Sequence, residues 1–377
     1  MYKLSLDSQA ANAHVACYFN AVHAALEAIV TGKAVRFWRS REAFDLPGHN
    51  GCVRGLFKIL LDYTTSESDN LLIAQPDKLW ELIKDYNRYI ESHYWRIDRS
   101  PYKECYKFIE KLFSYDRFAK YRRALEFEHD KAIIKSVEIA KVMGAKWEGN
   151  EWSALRFIES LGVRYCPYCN AETVYSITFE KESPIKTARS ALDHYFPQSQ
   201  FPFLAISLCN LVPSCTRCNT NIKRDRELDY TRHMNPYSDS FHDAVKFTCA
   251  PDDCAVGFRP DAIHGEDDFH FSIRKRGKPE REDFERRGKA IADFFRIKDI
   301  YNCLFRYEAV QDIYRSRIAD SSYYDILRRM LGENLADNRL RELFLNVIED
   351  ESKINKVRLS KLAIDMHEMV LNSLSKK

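Results

Sequence analysis

From the start of the chain to about Leu155, apolar residues recur at helical spacing. Leu79, Leu82, Ile83, Tyr86 and Ile90 share one face, and Cys105, Phe108, Ile109, Leu112 and Phe113 repeat the pattern, so this region predicts amphipathic helices with core-facing stripes. The polar stretches Tyr63 to Asn70 and His49 to Cys52 read as turns between them. Near residue 160 the period shortens. "ETVYSITF" (Glu172 to Phe179) and "ARSALDHYF" are rich in β-branched and aromatic residues and flank the polar "EKESPIKT", a pattern that predicts a β-hairpin or ribbon. "NLV" (Asn210 to Val212) reads as another short strand, Cys215 to Arg224 as the start of a helix, and "VKFTCA" with "FHFSI" as a second strand pair. From about Arg281 the helical period returns: Ile300, Leu304, Tyr307, Val310 and Tyr314 form one stripe, and Leu359, Leu362, Met366, Met369 and Val370 another. The pattern predicts a mostly α fold with a small α+β insert, divided into a helical region 1–158, an insert 159–280 and a helical region 281–377.

Composition narrows this outline. With 45% hydrophobic and 30% charged residues, the chain reads as globular rather than disordered. The formal charge of +3, from 58 basic against 55 acidic residues, neither requires nor excludes a polyanionic partner, so any nucleic-acid footprint must be local. The first thirty residues lack a basic start, an apolar core and a small-residue cleavage site, and no run of 18 apolar residues occurs, which reads as a cytoplasmic protein with no membrane partner. Eleven cysteines, an odd number without a secretory signal, argue for reduced thiols and metal ligation rather than a disulfide framework. Cys17, Cys52, Cys105 and Cys303 read as small buried hydrophobes.

The remaining chemistry is concentrated. Cys166-Pro-Tyr-Cys169 and Cys215-Thr-Arg-Cys218 are two C-x-x-C knuckles with 45 residues between them, the donor set of a tetrahedral structural Zn²⁺ that closes the intervening loop. Four thiolates leave such a zinc no open position, so chemistry would fall to the polar residues nearby. Between the knuckles sits Asp193-His194, and directly after Cys218 comes Asn219. Hydrolysis of a phosphodiester needs a base for water, which an imidazole supplies, and hard oxygen ligands for a divalent ion, which a carboxylate and a carboxamide supply. Adjacent residues on a regular strand point to opposite faces, so Asp193 and His194 can share a site only where the strand ends or twists. Pro197 makes such an ending plausible. Basic residues cluster after the second knuckle at Arg217, Lys223, Arg224, Arg226 and Arg232, with a second run at Arg274 to Lys278. Cys249, Cys254, His242, His264 and His270 are too scattered to predict a second metal site. Asn235-Pro-Tyr237 reads as a turn packed on the active site.

The order C-x-x-C, D-H, N-L, C-x-x-C-N resembles the HNH, or ββα-metal-finger, endonucleases in their four-cysteine zinc branch. With "CPYCN" ahead, "HMNPYSD" after and "IYNCLFRYEAV" further on, the chain looks more specifically like the HNH effectors of bacterial anti-phage systems of the Septu and retron-associated kinds. That resemblance covers Arg164 to Ser238 well, the next 80 residues weakly and the N-terminal part hardly at all. It implies DNA as substrate, an ATPase partner subunit, and products with 5′-phosphate and 3′-hydroxyl ends. It also implies His194 as general base, Asp193 and Asn219 as ligands of a catalytic Mg²⁺ or Mn²⁺, and Asn210 as the residue that steadies the base. Two departures stand out: Asn219 replaces the third-letter histidine of many members, and the C-N-x-x-K ending carries Ile222 where lysine is expected, with Lys223 one residue late. A rival reading keeps the zinc and removes the chemistry, making the finger a nucleic-acid or partner-binding subunit. An RNase or a branched-DNA resolvase is a further alternative within the enzyme class.

Overall fold

A computed structural model describes residues 2–37, 43–44, 51–93, 95–96, 99–119, 127–129, 132–134, 152–178, 187–250, 270–276, 282–319, 326, 329–330, 342, 348 and 351–374. The N-terminal helices are α1 (Ser8–Val30), α2 (Gly51–Asp62), α3 (Pro76–Ser92), α4 (Tyr102–Leu112) and α5 (Tyr115–Ala119). The helical period holds: Leu79, Leu82, Ile83 and Tyr86 of α3, and Cys105, Phe108, Ile109 and Leu112 of α4, are all buried. By length and composition α1 could cross a membrane, but 67% of its most apolar window is buried within the protein, so here it serves as a core helix against α2.

Periodicity missed one element of this region. Strands β1 (Val35–Phe37), β2 (Ala43–Phe44), β3 (Phe127–His129) and β4 (Ala132–Ile134) form a four-stranded antiparallel sheet in the order β2-β1-β3-β4. Strands of two or three residues are too short to show a period of two, and β1 meets β3 only across some ninety intervening residues, so no local signal announces the pairing.

A short helix α6 (Ala154–Leu161) ends at Gly162, whose left-handed backbone (φ 60°) is a conformation open to glycine without penalty. The insert then follows. β5 (Ile177–Thr178) and β6 (Thr187–Ala188) make the expected hairpin, and β7 (Ala191–His194) pairs antiparallel with β8 (Leu211–Ser214) in the register Ala191 to Ser214, Leu192 to Pro213, Asp193 to Val212 and His194 to Leu211. Pro213 is tolerated because every strand of a two-stranded ribbon is an edge strand. After the second knuckle comes a π-helix (Arg217–Lys223), then α7 (Phe241–Ala244) and the antiparallel pair β9 (Val245–Ala250) and β10 (His270–Lys275). Helices α8 (Glu282–Phe294), α9 (Ile297–Leu304), α10 (Arg306–Ala319) and α11 (Ser360–Leu374) complete the described chain. The whole is mostly helical with small sheets.

The stripe expected through Ile300, Leu304, Tyr307, Val310 and Tyr314 does not hold as one face. The helix breaks at Phe305 and restarts in a different phase, so Ile300 and Val310 are buried while Tyr307 is 61% exposed and Leu304 and Tyr314 also face solvent. Phe305, Ala309 and Ile313 take the buried places instead. The C-terminal stripe does hold, with Leu359, Leu362, Met366 and Val370 buried. Of the four cysteines read as buried hydrophobes, Cys17 and Cys105 are buried, Cys52 is half-buried and Cys303 is exposed.

One hydrophobic core joins all three sequence regions, with members from Tyr2 to Val370. Trp80 of α3 stacks on Phe196, Tyr86 lies against Phe203, and the Leu208 amide donates to the Leu72 carbonyl at 2.8 Å. At the other end Tyr301 of α9 donates to the Cys169 carbonyl at 2.7 Å, and Asn302 exchanges two hydrogen bonds with the Phe271 backbone. The "YN" pair of that helix thus ties a knuckle and β10 to the C-terminal region.

Candidate metal centre and active site

The two knuckles meet. Cys166, Cys169, Cys215 and Cys218 are buried, and their sulfurs all lie within 4.8 Å of one another. Tetrahedral ligation with Zn–S bonds of ~2.3 Å requires sulfurs ~3.8 Å apart, and Cys169 Sγ lies 3.9 Å from Cys215 Sγ. Hydrogen bonds from the neighbouring thiols pull Cys169 well below the usual thiol range, while burial pushes Cys166 well above it. Four buried sulfurs this close can all be thiolates only around a cation, so the donor set fits a metal such as zinc. Among the described residues no other group of this kind occurs. Cys249 is buried in β9, and Cys254 and His264 lie outside the described residues.

Asn170 turns the first knuckle with φ 55°, a left-handed conformation in which asparagine is enriched. Its side chain reaches the C-terminal region: Oδ1 accepts from Ser360 Oγ and the Lys361 amide, and Nδ2 donates to the Ile354 carbonyl.

His194 closes β7. Its Nε2 lies 2.9 Å from the Ala205 carbonyl, which can only accept, so Nε2 carries the proton and Nδ1 is the basic nitrogen. Burial pushes the imidazole down to about 4, against a smaller upward pull from the Ala205 carbonyl, so the ring is neutral at pH 7. Asn210 braces the loop that supplies this carbonyl. Its Oδ1 accepts from the Phe196 amide at 2.7 Å, and its Nδ2 donates to the Phe196 and Leu204 carbonyls at 3.1 and 3.0 Å. Tyr195 N to Asn210 O extends the β7–β8 ladder one residue beyond His194.

Asp193 takes other partners, as strand alternation requires. It is 2% exposed, with Tyr168 Oη donating to Oδ2 at 2.7 Å and Lys223 Nζ 3.1 Å from Oδ1. Burial and the Asp193 charge together hold the Tyr168 phenol well above its usual range, which keeps it a donor. Lys223 is 1% exposed and also donates to the His194 carbonyl at 2.6 Å. Lys223, expected on the nucleic-acid face, is therefore turned inward.

The one-residue displacement of this lysine has a structural answer. The segment from Arg217 is a π-helix, and the Arg224 amide reaches back five residues to the Asn219 carbonyl at 2.7 Å. An i→i−5 bond accommodates one more residue per turn than an α-helical i→i−4 bond. The fourth residue after Asn219 consequently comes round to where a third would stand in an α-helix.

Asn219, half-buried, lies within this π-helix and follows the knuckle directly. The expected catalytic-metal pair does not fit as a metal cradle in this arrangement. Both Asp193 oxygens have protein partners and an ammonium already neutralises the carboxylate, whereas Mg²⁺ keeps several waters around its ligands. The remaining basic residues diverge. Arg217 pairs with Glu172 at 2.9 Å, Arg226 lies over the Phe294 ring at 4.2 Å, and Arg224 is exposed. Asn235-Pro-Tyr237 forms the turn expected of it and packs on the ribbon, its Tyr237 Oη donating to the Leu211 carbonyl at 2.7 Å.

Comparison with family models, with curated proteins and with solved structures returned no match to this chain. The site therefore rests on its own geometry. Two of its members were not legible beforehand. Tyr115 of α5 meets the His194 ring edge-on at a centroid distance of 4.8 Å, and the charge of Arg189 acts on the phenol of the same tyrosine. Tyr115 lies 79 residues before His194, in a helix that showed only a core pattern, and no motif connects them.

Proposed function

We propose that the chain is a zinc-stapled HNH-type endonuclease that hydrolyses phosphodiester bonds of DNA, with His194 as general base. The observation that carries this reading is the tautomer of His194: a neutral imidazole, oriented by the Ala205 carbonyl and leaving Nδ1 basic, beside a four-cysteine cluster that can hold zinc. Nδ1 would take a proton from water as the water oxygen bonds to phosphorus and the scissile P–O bond breaks, with the leaving oxygen protonated afterwards. Zinc would join the first knuckle to the start of the π-helix, directly after β8, and Asn210 would hold the loop that orients the base. Lys223 would neutralise Asp193 beneath the site.

His194→Ala should abolish nicking of supercoiled plasmid while zinc content stays at one per chain. Full activity in a zinc-loaded variant would exclude this role for His194.

One observation favours a second reading. Because Asp193 is buried and paired with Lys223, the finger could serve as a zinc-clamped module that binds nucleic acid or a partner without cutting. Binding by the parent protein, with no cleavage of duplex, junction or RNA substrates under any divalent metal, would support it. A role in anti-phage defence beside an ATPase rests on the motif resemblance. An ATPase or reverse-transcriptase gene adjacent to this one would support it.

A further inference from the structure

Beside the finger lies a polar cavity of about 420 Å³, within the range of small-ligand sites. Its walls include Arg189, Arg217, Ser214, Asn221 and Glu172. Two features distinguish it from an ordinary solvated crease. Ser214 is 1% exposed and its hydroxyl is buried without a hydrogen-bond partner, a state that costs free energy unless a ligand or water completes it. Two guanidiniums line the cavity against one carboxylate: Arg217 faces Glu172 across 2.9 Å, and Arg189 is steadied by the Ser190 and Ala119 carbonyls at 3.1 and 3.5 Å. Each guanidinium has five N–H donors, so these contacts leave donors for an anion.

The position of the cavity gives it meaning. Ala191 and Ser214, which pair across the ribbon, line it at one end, and His194 and Leu211 pair at the other. Three residues of strand separate the two ends, or ~10 Å at ~3.3 Å per residue. Successive phosphates of one strand lie farther apart than the ~3.4 Å axial rise, because the backbone also winds around the axis, so this distance corresponds to about one to two nucleotides. Tyr115 lies between the two ends, with its ring against His194 and its phenol within the influence of the Arg189 charge.

We propose that this cavity is a subsite for a backbone phosphate, held by Arg189, Arg217 and Ser214 about one to two nucleotides along the strand from the bond presented to His194. The assignment rests on the nuclease reading and adds the register of the strand. Backbone phosphates carry no sequence information, so the subsite positions the strand and does not select a sequence.

The test uses full-length His194→Ala protein, which leaves the probe uncut, and a fluorescent DNA duplex in an anisotropy titration from low to moderate salt. Arg217→Gln and Arg189→Gln should each weaken binding several-fold for every sequence. Each should also lower the slope of log K against log salt by ~0.9, the value of one lost phosphate contact. Arg88→Gln, on α3 and outside the cavity, should leave the slope nearly unchanged. Because Arg189→Gln also removes a contact to Tyr115, a second measurement uses duplexes with one neutral methylphosphonate moved along the strand. The linkage about one to two nucleotides from the cleavage point should weaken binding to the His194→Ala protein and not to its Arg217→Gln derivative. Variants that keep their zinc and melting temperature yet bind with the parental slope would overturn the subsite while leaving the nuclease reading intact. No binding by the His194→Ala protein itself would overturn both.

Discussion

Asp193 and Lys223 show how a residue's neighbours decide its role. A carboxylate beside a histidine suggests a metal ligand; a buried carboxylate already holding an ammonium and a phenol is a brace. Removing one partner of a buried ion pair leaves an uncompensated charge at a cost of ~3–5 kcal/mol. Asp193→Asn and Lys223→Met should each destabilise by about that amount. The double substitution Asp193→Asn, Lys223→Met should recover most of the loss in denaturant unfolding, and strictly additive losses would exclude a coupled pair. His14 behaves differently because it is buried without a charged partner. Its Nε2 donates to the Ile206 carbonyl at 2.7 Å, its Nδ1 accepts from Trp152 Nε1 at 2.9 Å, and burial pushes it down to about 3. The folded imidazole stays neutral, whereas the unfolded one takes up a proton below about pH 6.5. Its contribution is therefore intact above that pH and lost progressively as pH falls towards 3, by up to ~1.4 kcal/mol per unit. A His14→Gln protein should be less stable than the parent at pH 7, and the gap should narrow by about 2 kcal/mol at pH 5. An equal gap at both pH values would show that His14 does not titrate in this way.

At the scale of elements, the π-helix is the departure with most consequence. The sequence reads C-N-x-x-x-K, and the additional residue is absorbed by a wider turn that still delivers the lysine to Asp193. Deleting exposed Thr220 should let the segment relax to α-helical bonding with the lysine still on Asp193. The expected outcome is retained zinc and a melting temperature within a few degrees of the parent. Loss of the fold would mean that the π turn is itself required. The knuckle at Cys166 to Asn170 also works as an element, because its backbone and Asn170 side chain receive Tyr301 and the start of α11. A patterned strand or helix was legible where it was long enough to repeat, as in α3, α4 and the β9–β10 pair. The sheet of β1 to β4 and the break at Phe305 were not, since neither depends on a local repeat.

For the whole molecule, the insert is not free-standing. Its long loop between β7 and β8 packs on α3 and, through the His14 bond to Ile206, on α1, while the first knuckle packs on α9 and α11. Residues 159–280 expressed alone should therefore fail to fold cooperatively even with zinc. A sharp thermal transition and dispersed amide signals from that fragment would refute this. Stripping the metal from the full chain should lower the melting temperature of the helical regions too, because the knuckles anchor contacts on both sides. Circular dichroism at helical wavelengths, before and after chelation, measures it. A transition that stays put in zinc-free protein would show that the cluster is not integral to the core.

Spacing alone brought out the four cysteines that meet as a candidate metal centre and the histidine proposed as base. A pair of C-x-x-C knuckles and a D-H, N, N order are local chemical patterns whose meaning survives any rearrangement of the flanks. What only the tertiary structure decided is how those residues face one another. Alternation along β7 sends Asp193 and His194 to different partners, and burial gives the carboxylate to Lys223. Packing brings Tyr115 to the imidazole from outside any motif. The physical reason is one of range. Ligand spacing is written in covalent neighbours, whereas the charge, exposure and covering of a side chain depend on residues that meet only when the hydrophobic core closes.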